Sequence, residues 1–547
     1  MSNLLRRIVS SPQVRMQTSP SLAAPRSRAR SFPLAILCLA LLAVSASRAA
    51  QSDAAAQAAA LRKRLVSILD SPEASGALWG IQVSSVASGD TIFKWNETKL
   101  FHPASAAKVF TTSAALVRLG PDFAYKTTLE TSALVDANGT LNGSLIFVGR
   151  GDPNLSGRTL PYNGQKEISG KPTKVFAELA EQVRARGIRR IDGNLVIDDS
   201  YFVLEPYGQS WEIGDLVWNY GAPVSAIAVD DNVVTVTVHP AASVGAPALI
   251  RQEPLDAYYE VSNHVVTVAP PQRSSESAEP PEHLSVERRA GSHVLMLWGK
   301  ILRNSSGWTE LLAMDDPPRA AGELLRRELE SRGIAIKGIT AFQHREPFEV
   351  EDLAGSPNPP TLPGNTVVAS HESLPLREGL KIINKNSENL HAEMLLRTLG
   401  RERRNVGSIE AGIEEVKKFA QEAGVLEKEF SLHDGSGLSR ENLVSPSAMV
   451  TVLRYIYNSP YRAVWLDSLP VAGRDGTLAN RLRSTSIAGR VIAKTGTLAD
   501  NVSLAGYLIR PNQTPLAFAI FMNHHHLTAG AATAMVDRVV EEIAKLQ

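Results

Sequence analysis

The 547-residue sequence holds a single cysteine, Cys38. If the segment carrying it is removed, disulfide scaffolds, thiol catalysis and cysteine-based zinc sites are all excluded. Net charge is also almost absent, at +1 with His neutral. No basic field points to nucleic acid, and no nucleic-acid motif is present. A fixed-period repeat is missing, and beyond Val44 no apolar run is long enough to cross a membrane. The one conspicuous apolar run, Leu34 to Val44, is too short for a comfortable span. It follows Arg26, Arg28 and Arg30 and precedes Ala46, Ala49 and Ala50. Basic, apolar and small residues in that order describe a secretory leader, expected over residues 1–50, with Met16 as an alternative start. An uncleaved anchor and an organellar transit peptide are the other readings. Ala35 and Leu37 make a poor lipoprotein cleavage site before Cys38. The mature chain is expected to be exported, to the periplasm in a bacterial setting, with no stable membrane span.

What is present is a chain too long for one core. Residues 54–69 read as a helix, and Leu78–Val86, a turn, then Thr91–Trp95 as a β-hairpin. Pro103 disfavours helix before it, and Ser105 to Leu119 reads as a helix that ends at Gly120-Pro121. From about Tyr125 short β-rich runs take over, at Leu141–Val148, Ile188–Ile197, Val224–Val238 and Tyr259–Val268. Helices at Val175–Arg186 and Arg319–Arg332 interrupt them. Gln272–His283 reads as an exposed loop and Gly355–Gly364 as a linker. Helical texture returns with Leu376–Asn384, Ser387–Leu399 and Ile409–Ala423. Two apolar strands, Val502–Ile509 and Pro515–Asn523, then precede a closing helix from about Ala529. The expected fold is α/β (α+β): an antiparallel sheet flanked by helices over 51–124 and 365–547. Residues 125–364 form an inserted β-rich accessory region of two small domains.

Three short strings carry the chemistry: Ser105-Ala-Ala-Lys108, Ser387-Glu-Asn389 and Lys494-Thr-Gly496. Positions i and i+3 share a helix face, so Lys108 can reach Ser105. A serine hydroxyl needs an adjacent base, and a lysine serves only when desolvation or a cationic neighbour, here Lys494, makes it neutral. The Ser387 hydroxyl can pass a proton to a leaving amine, and the Asn389 amide can hold a substrate carbonyl. Lys494 and Thr495 suit a substrate carboxylate, and Gly496 leaves room for substrate along a strand edge. The backbone N–H groups of Ser105 and Thr497 are candidates for an oxyanion hole. Taken singly, Ser105 and Ser387 read as well as helix caps. Together and in this order, the strings match the three-part signature of class A β-lactamases and penicillin-binding proteins.

Lys108 and Ser387 stand 279 positions apart, far more than such a fold needs. Tyr220-Gly-Ala-Pro-Val-Ser-Ala226, Asp434-Gly-Ser-Gly-Leu-Ser439, Leu469-Pro-Val-Ala-Gly473, Asp475-Gly-Thr-Leu478 and Ala493 to Leu498 narrow the choice. From about residue 60 onward the chain resembles the D-alanyl-D-alanine carboxypeptidase/endopeptidases of the penicillin-binding protein 4 type, the class C penicillin-binding proteins of peptidase family S13. That resemblance implies a β-lactamase/transpeptidase-like domain with two domains inserted between the first two motifs. It implies Ser105 as nucleophile, Lys108 as base, Ser387 as proton relay, and Asn389, Lys494 and Thr495 as substrate-binding residues. Gly496 and Thr497 complete the binding strand. Glu388 and the inserted region are assigned no role. Peptidoglycan stem peptides are the implied substrate, β-lactams the acylating inhibitors, and no metal or organic cofactor is implied. A serine β-lactamase and a non-catalytic peptidoglycan-binding protein on the same scaffold are the alternatives.

Two other strings invite a site. His433-Asp-Gly-Ser436 is not a triad, because triad members converge from separate segments, and it reads as a structural loop. His524-His-His526 reads as a solvated loop with no acid nearby in sequence.

Overall fold

A computed structural model describes residues 56–164, 170–270, 282–356 and 365–546. The expected leader lies outside these residues, as do 272–281 of the expected loop and 357–364 of the expected linker. Among the described residues no helix is long and apolar enough to cross a membrane.

Five antiparallel strands form the sheet on which the site is built. Strands β1 (Leu78–Ser85) and β2 (Thr91–Trp95) are the expected hairpin. Strands β3 (Val491–Leu498), β4 (Asn501–Leu508) and β5 (Leu516–Asn523) come from the far end of the chain. The spatial order is β3-β4-β5-β1-β2, which leaves β3 on an edge. Every residue of β4 and β5 is buried. Side chains alternate across a strand, so Ala517, Ala519 and Phe521 enter one core while Leu516, Phe518, Ile520 and Met522 enter the other. Both faces are covered, which explains why these strands read as unbroken apolar runs.

The second of those cores is closed by helix α1, residues 58–69, and by the last helix, whose Ala532, Met535, Val536, Val539, Val540 and Ile543 recur at helical spacing. The other core holds helix α2 (Lys108–Leu119), which is buried from Lys108 through Leu116 and, Lys108 apart, carries apolar or small side chains there. Around it pack α3 (Leu376–Lys385), α4 (Asn389–Arg404), α5 (Ile409–Glu422), α6 (Pro446–Tyr457) and α7 (Arg462–Ser468). The last helix, Ala529–Ile543, is α8.

Between α2 and α3 a separate hydrophobic core runs from Leu129 to Ala369. Its main sheet is mixed, and its first and last strands, Lys126–Thr131 and Thr366–Glu372, lie side by side antiparallel. The chain therefore leaves and rejoins the motif-bearing part through one strand pair. Three three-stranded sheets also lie within it, centred on Arg190–Ile191, Val233–His239 and Val294–Leu302.

Four sequence expectations need correction. The run Val224–Val238 is a strand only from Val233, because Asp230, Asp231 and Asn232 take positive φ that no strand accepts. His283 opens a strand, His283–Glu287, instead of closing a loop. The helix expected from Ser105 begins as a 3-10 turn and becomes α-helical only at Lys108. The helix expected from Ser387 starts at Asn389, because Ser387 has φ +64°. Neither motif serine caps a helix with its side chain.

Candidate active site

Ser105 lies in the turn Ala104–Ala107, between Pro103 and α2. Ala104 has φ +48°, a left-handed conformation that costs any residue with a Cβ. Two glycines on other elements make the turn possible. A Cβ on Gly437, whose φ is +86°, would overlap the Ala104 carbonyl oxygen. A Cβ on Gly496 would stand 2.6 Å from the Pro103 oxygen and 3.0 Å from the Ala106 nitrogen. The Ser503 hydroxyl on β4 then donates to the Pro103 carbonyl at 2.6 Å. Space at Gly496 is thus also needed by the chain's own serine turn.

Lys108 is wholly buried at the start of α2. Its Nζ donates to Ser105 Oγ at 3.0 Å, to Asn389 Oδ1 at 2.6 Å and to the Ser436 carbonyl at 2.6 Å. An ammonium has three hydrogens to give, and all three are used. Burial pulls this group down to about 8, against Asp434, Glu388 and Glu393, which push it up. Of the two causes considered, desolvation or the Lys494 cation, desolvation is the one that lowers it. On losing one proton the amine keeps its two short bonds to Asn389 and Ser436 and turns a lone pair toward Ser105.

The second lysine links the other two motifs. Lys494 Nζ, on edge strand β3, donates to Ser387 Oγ at 2.9 Å and to the Thr495 carbonyl at 2.9 Å. Thr495 Oγ1 donates to Thr477 Oγ1 at 2.8 Å, and the preceding Asp475 is paired with Lys385 Nζ at 2.7 Å. The string Asp475 to Leu478 therefore ties β3 to the end of α3. Ser105, Ser387, Asn389 and Thr497 open together on a cleft of about 470 Å³.

Several residues of this site were not legible beforehand. Asn389 Nδ2 donates at 2.9 Å to the carbonyl of Tyr220, which lies between the strands of the insert. With Oδ1 on Lys108, one amide hydrogen remains for substrate. Asp215 and Tyr220 from the insert and Arg440 also line the cleft. Wholly buried Glu393 accepts from the backbone N–H groups of Gly435 and Ser436 at 2.9 and 2.8 Å, and so aims the Ser436 carbonyl at Lys108. A signal for it existed: Asn389, Glu393 and Arg397 recur every four residues on one helix face. Asp434 binds the N–H groups of Gly437 and Ser439, Asn442 Nδ2 and the insert's Trp211 Nε1. The loop is structural, as expected, and it also shapes the field at Lys108.

The triple histidine differs from expectation. His524 Nδ1 faces Asp500 at 3.2 Å, and His525 is buried instead of solvated. Among the described residues no group of three or more His, Cys, Asp or Glu is placed to hold a metal ion.

Residues 61–543 match the model of the D-Ala-D-Ala carboxypeptidase 3 (S13) family. The chain belongs to that family. A D-alanyl-D-alanine carboxypeptidase from Actinomadura sp. (strain R39) is 32% identical, with 97% of this chain and 94% of that protein aligned. The crystal structure of penicillin binding protein 4 from Haemophilus influenzae matches with a TM-score of 0.74 at 26% identity, covering 88% of this chain and 99% of that one. A β-lactam complex of the same Haemophilus protein matches with a TM-score of 0.69 at 25% identity. The S13 match opens in α1 and closes at the end of α8, so it takes in the insert as well as the motifs. The S13 family and the transpeptidase-like fold are the ones expected from the motif strings.

Proposed function

We propose that this S13 protein is an exported, serine-type D-Ala-D-Ala carboxypeptidase and endopeptidase that acts on peptidoglycan stem peptides and is acylated by penicillin. Ser105 is the nucleophile. Neutral Lys108 takes its proton as Oγ attacks the carbonyl of the penultimate D-alanine. The N–H groups of Ser105 and Thr497 receive the developing oxyanion. Lys494, Thr495 and Thr497 hold the terminal carboxylate, and the remaining Asn389 amide hydrogen holds the peptide. The C–N bond breaks, and Ser387 relays a proton to the departing D-alanine amine or, in a cross-link, to the amine of the neighbouring stem. Water then attacks the ester, gives a proton back through Lys108, and frees Ser105. Gly496 keeps β3 close to the serine turn. We read 51–124 and 365–547 as the peptidase part and 125–364 as its inserted accessory region.

The observation that carries this reading is one lysine: buried, drawn down to about 8, and 3.0 Å from Ser105 Oγ. The test uses fluorescent penicillin and a D-Ala-D-Ala peptide on the mature protein and on Ser105→Ala. Wild type is expected to label stably and to release D-alanine, and the variant to do neither. Labelling of the variant, or no D-alanine from wild type, refutes the reading. Rapid release of hydrolysed penicillin would mean a β-lactamase instead.

A further inference from the structure

The most irregular backbone near the site lies in the insert, at Asp230-Asp231-Asn232. These three consecutive residues have φ of +49°, +59° and +55°. Asp and Asn visit the left-handed region more readily than other residues with a Cβ, but singly. A run of three persists only where its surroundings over-determine it. Asn232 supplies part of that constraint: buried, it accepts from the Val229 N–H at 2.8 Å and donates to the Pro223 carbonyl at 2.9 Å. Asp231 supplies the rest. One of its oxygens meets the Arg158 guanidinium and the other meets His391 Nε2 at 2.8 Å. Burial opposes its charge, yet Arg158 and His391 hold Asp231 well below the usual carboxylate range.

His391 stands in the first turn of α4, two residues after Asn389, and its ring is buried. Glu388, the residue just before that helix, is the middle of the second motif. We propose that Asp231, braced by Arg158, is a positioning residue for acylation: from the insert it grips His391, and so places Glu388 and Asn389 around Lys108 beside Ser105. The proposal rests on Ser105 and Lys108 acting as nucleophile and base. It gives the strained run a purpose, because the left-handed turn carries the Asp231 carboxylate to the His391 ring at the start of α4. It also gives Glu388 a part that its sequence position alone does not reveal.

The charges around Glu388 yield a test that simple structural damage would not mimic. Burial and Asp231 push its carboxyl up, while His391, Arg158 and Lys108 pull it down. Glu388 in turn faces Lys108 together with Asp434 and Glu393, and Asp230 lies against Arg158. Asp231→Asn removes a negative charge that opposes ionisation of Glu388, so Glu388 ionises more readily and holds the proton on Lys108 more firmly. Arg158→Gln does the opposite.

The measurement is the rate of Ser105 labelling by fluorescent penicillin from neutral to alkaline pH, on the full mature chain. Asp231→Asn is expected to lower the neutral-pH rate about tenfold and to move the midpoint of its pH profile upward. Arg158→Gln is expected to move that midpoint downward. Midpoints that stay put, or that move together, overturn the proposal and leave the pair a structural brace. Should one variant fail to fold, the direction of the other decides. A wild-type chain that never labels overturns the functional reading first, so the two failures are distinguishable.

Discussion

The motif-bearing part and the insert reach the same cleft by different means. The motif-bearing part contributes the side chains proposed to act directly: Lys108 bonds Ser105 at 3.0 Å and Asn389 at 2.6 Å, and Lys494 bonds Ser387 at 2.9 Å, so the second motif is tied to both the first and the third. The insert contributes a backbone carbonyl at Tyr220, an indole N–H at Trp211 and the Asp231 carboxylate. None of these lies near the motifs in sequence. The lesson is a division of labour, with the proposed reacting groups on the sheet-and-helix part and their orientation shared with insert residues 160 to 223 positions away from their partners.

Four measurements sharpen or break that comparison. The largest effect is expected from Lys108→Ala, which removes the proposed base and leaves Asn389 Oδ1 and the Ser436 carbonyl without their donor. Penicillin acylation should fall by on the order of 10⁴, and a loss under about tenfold would show that another group takes the Ser105 proton. Next come Gly437→Ala and Gly496→Ala, which force atoms into the serine turn. Each should cost about 10²-fold in acylation, because small misplacement of a nucleophile is that costly. Melting temperatures checked alongside should show the folded chain surviving. Near-normal acylation in either variant would mean that the turn yields and is not clamped.

The third measurement is pH. As the proposed base Lys108 acts only when neutral, and its value of about 8 predicts acylation rising about tenfold from roughly pH 7 to roughly pH 9. A flat profile would separate the reaction from this lysine. The same shift bears on stability. Because the folded value lies below the ordinary lysine value, the unfolded chain binds more protons between the two. Stability should therefore gain from this group as pH rises through that window, and the gain is absent below about 8. The smallest effect is expected from the insert, with Trp211→Phe. Asp434 keeps its bonds to Gly437, Ser439 and Asn442, so about 1 kcal/mol of stability and no more than about fivefold in acylation should be lost. An effect as large as that of Gly437→Ala would erase the distinction drawn between the two parts.

Much of the site was legible in the sequence because its residues sit in short, ordered strings. The hairpin, the paired apolar strands after the third motif and the closing helix were legible too, since period-two and period-3.6 patterns are local properties. The helix starts were misplaced at Ser105 and Ser387 for a common reason. Each start is set by contacts to distant segments, from Ser503 and Gly437 to Pro103 and Ala104 just before Ser105, and from Lys494 to Ser387 itself. Propensity does not register such contacts. The strand expected before Val233 failed similarly, because the Asp-Asp-Asn turn is held by Arg158 and His391.

By itself the sequence determined the family and the residues proposed for its chemistry: a serine, two lysines and an amide in three strings whose order and separation mark the S13 family. Tertiary structure alone decided how that chemistry is switched on. Lys108 falls to about 8 because α2 is enclosed on every side. Its lone pair can face Ser105 because Asn389, aligned by Tyr220, and Ser436, aligned by Glu393, hold its other hydrogens. Desolvation and hydrogen-bond direction depend on what surrounds a group in space, and residue order along a chain does not contain them until the chain is folded.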